Sequence, residues 1–236
     1  MNRTDASDAL RALASGATSV QAVAYTHGRM PKRPIECRVL AIVPAAGRSR
    51  RMGRDKQLIP IGGRPMLLDV IENLRASKVA AIVVVTRTEI AAAALPPGKR
   101  TDRVRVLFND DPRSEMIDSI RLALREFADK PAPDGVQSFD GVLVCPADQP
   151  GISAADHNRC IDVFAESSDR IIVATCGPRR GHPIIFPAAM IEFVLSDACD
   201  AGLRELPHRH ADRVLEVPCV SRGVVRDIDT PDDLPG

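Results

Sequence analysis

The sequence has few aromatic residues and almost no net charge. It contains no Trp, one Tyr and six Phe among 236 residues, and its 32 Lys and Arg nearly balance its 31 Asp and Glu. Proteins that bind single-stranded nucleic acid depend on aromatic stacking and basic grooves. A nearly neutral chain also lacks the long-range field that attracts nucleic acid or an anionic membrane. The composition therefore argues against both as partners.

Long apolar runs and closely spaced cysteine pairs are missing as well. No apolar run approaches the length of a membrane-spanning helix, and the N-terminus lacks the basic-then-apolar pattern of a signal peptide. The six cysteines include no C-x-x-C pair, which argues against a zinc knuckle. A chain of this size needs no disulfide framework, so we expect free thiols and a cytoplasmic protein.

A loop rich in glycine and arginine is the most informative feature that is present. It runs from Val43 to Gln57, directly after an apolar run at Val39–Val43, and holds two glycines, four arginines and one lysine. Backbone N–H groups in such a loop form an anion-binding concavity, and the cationic side chains suit phosphate oxygens. Its spacing matches neither the Walker A loop nor the dinucleotide fingerprint. The pattern favours a polyphosphate site, with a basic surface turn as the alternative.

From residue 38 onward, strand-like and helical patterns alternate. This rhythm predicts a three-layer α/β/α, Rossmann-like fold with a mostly parallel sheet and helices on both faces. We expect one domain at 38–236, preceded by a separate extension at 1–37. The predicted strands of the first part are Val39–Val43, Ala80–Val85, Val104–Leu107, Val142–Cys145 and Ile171–Thr175, and the predicted helices are Met66–Ala76, Glu115–Phe127 and Ala154–Phe164.

Three aspartates are candidate ligands of a cation. Asp148 follows a predicted strand, where an Asp is most often a turn former or helix cap. Ser153 is the better cap for the next helix, which leaves Asp148 free. Asp227 and Asp229 stand two apart in a strand-like run and would share one face. Because Asp229 is better placed to cap the turn at Thr230, we favour Asp227 as the second ligand.

Four ordered blocks resemble one enzyme family. They are the loop P-A-A-G-x-S-x-R-M-G-x-D-K-Q, then C-P-A-D-Q-P at 145–150, R-G-H-P at 180–183 and D-I-D-T-P at 227–231. Together they resemble the nucleotidyltransferases related to molybdenum cofactor guanylyl- and cytidylyltransferases, from about Val39 to Leu234. The D-Q-P and G-H-P blocks resemble the cytidylyltransferase branch more closely. The resemblance implies the fold of nucleotide-diphospho-sugar transferases.

The resemblance also implies an activity and a set of site residues. The expected reaction is direct, Mg²⁺- or Mn²⁺-dependent transfer of CMP from CTP, or of a nucleotide from another nucleoside triphosphate, to a molybdopterin-type acceptor. Arg51, Lys56 and Asp148 would be catalytic, Asp148 would bind the metal with Asp227 or Asp229, and His182, expected in a turn, would face the acceptor. The residues implied in nucleotide binding are Ala45, Ala46, Gly47, Arg48, Ser49, Arg51, Lys56, Asn109 and Ser119.

Two rival interpretations remain open at this point. One is a guanylyl- or cytidylyltransferase for another small phosphate acceptor, because the Val43-Pro44 opening resembles sugar- and polyol-phosphate cytidylyltransferases. The other is a non-catalytic protein that delivers the pterin cofactor to a molybdenum enzyme or its chaperone. Arg51, Lys56 and Asp148 argue against a carrier, which needs no metal–triphosphate site.

Overall fold

The fold is described by a computed structural model over residues 37–49, 52–95, 103–128 and 139–234. The expected N-terminal extension, apart from Cys37, lies outside the described residues. Nine strands occur in this part of the chain: β1 Val39–Ala45, β2 Pro60–Ile61, β3 Arg64–Pro65, β4 Ala81–Thr86, β5 Val104–Phe108, β6 Gly141–Val144, β7 Ile171–Cys176, β8 Arg179–Pro187 and β9 Val214–Pro218.

Seven of these strands form the central sheet, in the order β5-β4-β1-β6-β8-β7-β9. β1 is an interior strand that pairs in parallel with β4 on one side and β6 on the other, so that Ile42 faces Val83 and Val144. β8 runs antiparallel to both β6 and β7, whereas β9 is parallel to β7. The sheet is therefore mostly parallel, as the sequence predicted. β2 and β3 form a separate two-stranded hairpin.

Within the described ranges, six α-helices connect and cover the strands. The spacing of apolar residues explains why the longer helices form. In the first helix the buried side consists of Leu67, Val70, Ile71 and Leu74, at the intervals expected of an amphipathic helix. The helices are α1 Met66–Arg75, α2 Thr88–Ala94, α3 Met116–Ala128, α4 Ala154–Glu166, α5 Ile191–Leu195 and α6 Glu205–Arg209. None of the helices in the described ranges is long and apolar enough to cross a membrane.

The core consists of two apolar layers separated by the sheet. Along β1, Val39, Ala41 and Val43 pack in one layer with α1 and α4, whereas Leu40 and Ile42 pack in the other with α3. This alternation follows from the two-residue period of a strand. Because both faces of β1 are covered, all seven of its residues are buried, which explains the continuous apolar run in the sequence.

Candidate active site

The carboxyl ends of four parallel strands meet at one edge of the sheet and border a cleft. β1, β4, β5 and β6 all end at this edge, where ligands of open α/β sheets bind. The cleft has a volume of about 280 Å³. It is lined by Pro44, Ala45, Ala46, Gly47, Ser49, Met52, Lys56, Gln57, Ser114, Glu115, Met116, Ser119, Pro146, Ala147, Asp148 and Asp229.

The loop after β1 turns back on itself at Ser49. Ser49 has a φ of 46°, a left-handed conformation that is uncommon outside glycine. Its carbonyl accepts a hydrogen bond from the Met52 amide at 2.9 Å, and its hydroxyl accepts one from the Lys56 amide at 3.1 Å. These bonds hold the end of the loop beside its start, so that Lys56 reaches the cleft.

Lys56 joins two of the three predicted aspartates. Its Nζ lies 2.6 Å from Asp148 Oδ2 and 3.0 Å from Asp229 Oδ1. All three side chains are at most about one third exposed, with 15%, 19% and 31% of their surface accessible. Burial acts to lower the pKa of Lys56, but the hydrogen bonds and charges of the two carboxylates outweigh it, so the pKa is raised. At neutral pH Lys56 is therefore protonated, with its ammonium between Asp148 and Asp229.

Asp227 has a different partner. The Gln149 amide donates a hydrogen bond to Asp227 Oδ1, and Asp227 occupies an exposed position. The backbone from Arg226 to Asp229 is not part of a strand in the structure, so the two aspartates do not share a ladder face. The geometry brings Asp229, rather than the favoured Asp227, to Asp148.

The capping role expected of Asp229 belongs to Asp233. Asp233 Oδ2 accepts hydrogen bonds from the amides of Asp229 and Thr230 at 3.1 and 2.8 Å, and from the Thr230 hydroxyl at 2.8 Å. The Asp229 carboxylate contacts Lys56. The sequence argument for Asp227 assumed that Asp229 itself would cap this turn, whereas these three hydrogen bonds go to Asp233.

His182 lies within the electrostatic influence of Asp148 and Asp227, although it was expected in a turn. It belongs to β8, opposite the irregular pairing between Val173 and Thr175. Burial lowers the pKa of His182, and the charges of Asp148 and Asp227 oppose that shift without cancelling it. The imidazole is therefore neutral at pH 7. Its Nδ1 is buried without a hydrogen-bond partner in the described part of the chain.

Three glycines hold the C-terminal segment against this region. A Cβ atom on Gly223 would lie 2.1 Å from the carbonyl carbon of Gly151, and one on Gly181 would lie 1.8 Å from the Val224 oxygen. The Ile228 amide also donates to the Asp148 carbonyl at 2.9 Å. This backbone-to-backbone packing places Asp229 beside Asp148. Sequence reasoning missed it, since only the small size of glycines distant in the chain hinted at it.

Asn109 and Ser119, the predicted nucleotide-binding pair beyond the loop, are hydrogen-bonded to each other. Asn109 Nδ2 donates to the hydroxyls of Ser114 at 2.6 Å and Ser119 at 3.2 Å. Ser119 lines the cleft, whereas Asn109 lies behind the two serines. Arg48 is exposed and donates to the Asp110 carbonyl at 3.4 Å. Arg51 lies outside the described residues, so its predicted role stays a prediction.

Gln57 and Arg87 are buried polar residues that sequence reasoning missed. Gln57 Nε2 donates to the carbonyls of Ala45 at 3.1 Å and Gly47 at 2.6 Å. Arg87 is only 4% exposed and its guanidinium contacts Asp55, the residue before Lys56. Its position directly after the lysine of the loop could have indicated that Gln57 belongs to the site.

The protein alone supplies only part of the ligand shell that a hard divalent cation requires. Across the described ranges no three His, Cys, Asp or Glu side chains converge as a metal site. Asp148 and Asp229 do converge, through Lys56. Mg²⁺ commonly binds through one or two carboxylates and completes its shell with water and substrate phosphates. Two carboxylates at the edge of a cleft suit that pattern.

Comparison with known proteins agrees with this chemistry. Residues 41–214 match the family model of the MobA-like NTP transferase domain. A 2-C-methyl-D-erythritol 4-phosphate cytidylyltransferase of Frankia casuarinae is 31% identical over 199 residues, which cover 81% of this chain but only 62% of the Frankia protein. A probable molybdenum cofactor guanylyltransferase of Rhodopirellula baltica is 28% identical over 207 residues, covering 83% of this chain and 90% of that protein.

A solved structure with the same architecture is that of Rv0371c from Mycobacterium tuberculosis H37Rv. It is 26% identical and superposes with a TM-score of 0.67, covering 83% of this chain and 94% of Rv0371c. A second structure of Rv0371c, in complex with manganese, has a TM-score of 0.63 at 26% identity and covers 83% of this chain and 95% of that one. The fold predicted from the sequence is thereby confirmed.

Proposed function

Because the chain belongs to the family of MobA-like NTP transferases, we propose that it transfers CMP from CTP to the phosphate of molybdopterin or of its molybdenum-loaded form. A phosphate oxygen of the acceptor forms a bond to the α-phosphorus of CTP. The bond from that phosphorus to the oxygen bridging to the β-phosphate breaks, and pyrophosphate leaves. The proposal keeps the cytoplasmic location that the sequence favours.

The observation that carries the proposal is the position of Lys56 between Asp148 and Asp229 at the edge of the cleft. Phosphoryl transfer needs positioning and charge stabilisation more than covalent help from the protein. A lysine on the loop side can contact the phosphates of the leaving group. The two carboxylates opposite it would hold Mg²⁺ or Mn²⁺, which when bound neutralises charge on the reacting phosphates.

The remaining residues are assigned by their places around these three. Ala45, Ala46, Gly47 and Ser49 line the cleft and would contact the nucleotide. Arg48 and Arg51 would add positive charge at the loop. His182, as a neutral imidazole near Asp148, would hydrogen-bond the acceptor rather than pair with it as a cation.

The choice of nucleotide and acceptor rests on the sequence and on the relatives. The resemblance places Ala46 where the guanylyltransferase branch usually has glycine, so that its methyl group would leave less room for a purine. The Rhodopirellula relative bears the name of a molybdenum cofactor enzyme, which supports a pterin acceptor. A second candidate acceptor is a polyol phosphate, favoured by the name of the Frankia relative.

A non-catalytic delivery protein is the remaining alternative. Such a protein would have no use for an ammonium and two carboxylates converging on one cleft. Delivery of the product to a molybdenum enzyme or its chaperone is compatible with transfer and would follow it.

The test is pyrophosphate release measured with CTP and with GTP, each with molybdopterin, with 2-C-methyl-D-erythritol 4-phosphate and without acceptor. We expect release that requires molybdopterin and a clear preference for CTP, because a pocket that hydrogen-bonds one base leaves polar groups unpaired with another. A preference for GTP would refute the choice of base. Activity with the polyol phosphate alone would refute the choice of acceptor, and no release with any pair would support the delivery protein.

A further inference from the structure

Gln57 is a buried amide at the border of the cleft, in contact with the loop assigned to the triphosphate. It is only 2% exposed, and its Nε2 donates both hydrogen bonds described above, to the carbonyls of Ala45 and Gly47. The orientation of the amide is fixed by these two acceptors, because the amide oxygen could not face two carbonyl oxygens. The side chain therefore ties together the start and the middle of the loop.

The other end of the same amide is left without a partner. Gln57 Oε1 is buried and accepts no hydrogen bond within the described residues. An unpaired buried carbonyl costs folding free energy. Stability alone therefore does not explain a glutamine at this position. Local conflicts of this kind concentrate at functional sites. The position is better explained by what Gln57 does to the loop.

The carbonyls that Gln57 holds determine where the next amides point. In a trans peptide the C=O and the following N–H point in opposite directions, and the one cis peptide among the described residues is at His182–Pro183. The N–H groups of Ala46 and Arg48 therefore point away from Gln57. Neither donates a backbone hydrogen bond within the described part of the chain.

The neighbouring strands identify the side on which these amides lie. The Ala45 carbonyl also accepts from the Thr86 hydroxyl at 3.2 Å, so it faces β4. The Pro44 carbonyl accepts from the Ala147 amide at 3.4 Å, so the opposite side of the chain faces the segment that carries Asp148. The Ala46 N–H lies on that second side. Among the described residues both amides lack a backbone acceptor, and backbone N–H groups left open in this way can donate to the oxygens of an anion.

We propose that Gln57 is a positioning residue, which fixes the loop so that the amides of Ala46 and Arg48 are presented to the triphosphate. The proposal rests on the proposed nucleotide role of the loop. It does not depend on which base or which acceptor the protein uses, because the groups concerned would contact phosphate oxygens alone.

The test measures binding of inorganic tripolyphosphate with magnesium to the full-length protein by calorimetry. Gln57→Met removes both donors at nearly constant volume, and Gln57→Glu replaces them with acceptors. We expect binding about tenfold weaker for Gln57→Met, since the loop loses its preorganisation, and weaker still for Gln57→Glu. KM for the nucleotide should rise more than kcat falls. Folded Gln57→Met that binds tripolyphosphate as tightly as the wild type would overturn the proposal.

Ser77→Ala is the matched control. Ser77 is 8% exposed and its hydroxyl donates to the Leu74 carbonyl at 2.7 Å, but it lies between α1 and β4, at the opposite edge of the sheet from the cleft. It should lower the melting temperature without weakening tripolyphosphate binding. Equal weakening in both variants would show a general loss of stability and would overturn the positioning role.

A measurement on the wild type covers the case in which the Gln57 variants do not fold. In ¹⁵N-labelled full-length protein, tripolyphosphate should shift the amide resonances of Ala46 and Arg48. Shifts confined to other residues would overturn the proposal. Wild-type protein that binds tripolyphosphate through these amides but transfers no CMP would refute the proposed function and leave the role of Gln57 supported.

Discussion

Replacing Lys56 by Met should abolish most of the activity while preserving the fold. Met keeps much of the apolar stem of the side chain but removes the ammonium that lies 2.6 Å from Asp148 and 3.0 Å from Asp229. Loss of one preorganised charge contact to a transition state costs about 2.7–4 kcal/mol, or about a hundredfold to a thousandfold in kcat. We expect a loss of that size, because the same ammonium would face the leaving pyrophosphate.

The same substitution should strengthen the binding of magnesium alone. In the wild type an entering Mg²⁺ must displace the ammonium from the two carboxylates, and in Lys56→Met nothing competes for them. Magnesium without nucleotide should therefore raise the melting temperature of Lys56→Met more than that of the wild type. Turnover near the wild-type rate in folded Lys56→Met, or no added response to magnesium, would refute the assignment of Lys56.

Lys78→Met is a matched control for charge. Lys78 forms an exposed ion pair with Asp162 at 2.6 Å, remote from the cleft, and exposed pairs contribute little to stability. Activity should stay at the wild-type level.

The stability difference between wild type and Lys56→Met should also depend on pH in one direction. Because the pKa of Lys56 is raised in the folded protein, its contribution is fully present below the ordinary lysine value of about 10.4 and falls as pH rises beyond it. Urea unfolding between neutral and alkaline pH checks this.

Two further predictions concern the metal and the packing of the C-terminal segment. Asp148→Asn and Asp229→Asn should each raise the magnesium concentration at which pyrophosphate release is half-maximal, since an amide is a poorer ligand for a hard cation. Asp227→Asn should leave that concentration near the wild-type value, because the Asp227 carboxylate contacts Gln149. A larger effect of Asp227→Asn than of Asp229→Asn would restore Asp227, the ligand favoured from the sequence. Gly223→Ala should lower the free energy of unfolding by about 1–3 kcal/mol, because its Cβ would lie 2.1 Å from the Gly151 backbone. Gly47→Ala, with no atom within 4 Å of its Cβ, should leave the urea midpoint unchanged. Equal urea midpoints for the two variants would contradict the packing.

The sheet could be predicted because its strands are apolar on both faces. β1 and β4 are nearly fully buried, so each appears in the sequence as a continuous apolar run. The short helix α2 was missed, since its Ala-rich sequence at Thr88–Ala94 has no polar face to contrast with an apolar one. His182 was expected in a turn rather than in β8 because proline and glycine beside it resemble a turn.

The candidate site could be predicted only as far as local sequence determines it. Lys56 and Asp148 stand in blocks whose residue types already suggest phosphate and metal chemistry, and the structure brings them into contact. The choice between Asp227 and Asp229 depended on two other residues. Gln149 donates to the Asp227 carboxylate and Asp233 accepts from the amides of the turn, and residue spacing reveals neither contact. The role of Gln57 depends on the direction of two loop carbonyls, which sequence patterns do not specify.

The most direct test of the proposed reaction follows the α-phosphorus of the nucleotide. The protein is incubated with magnesium, molybdopterin and CTP labelled at the α-phosphate, and the products are separated. We predict that the label appears in a cytidylylated pterin, in amounts equal to the pyrophosphate released, and that Lys56→Met forms little of it. Label that remains in CTP, or appears as free CMP without a labelled pterin, would contradict the account.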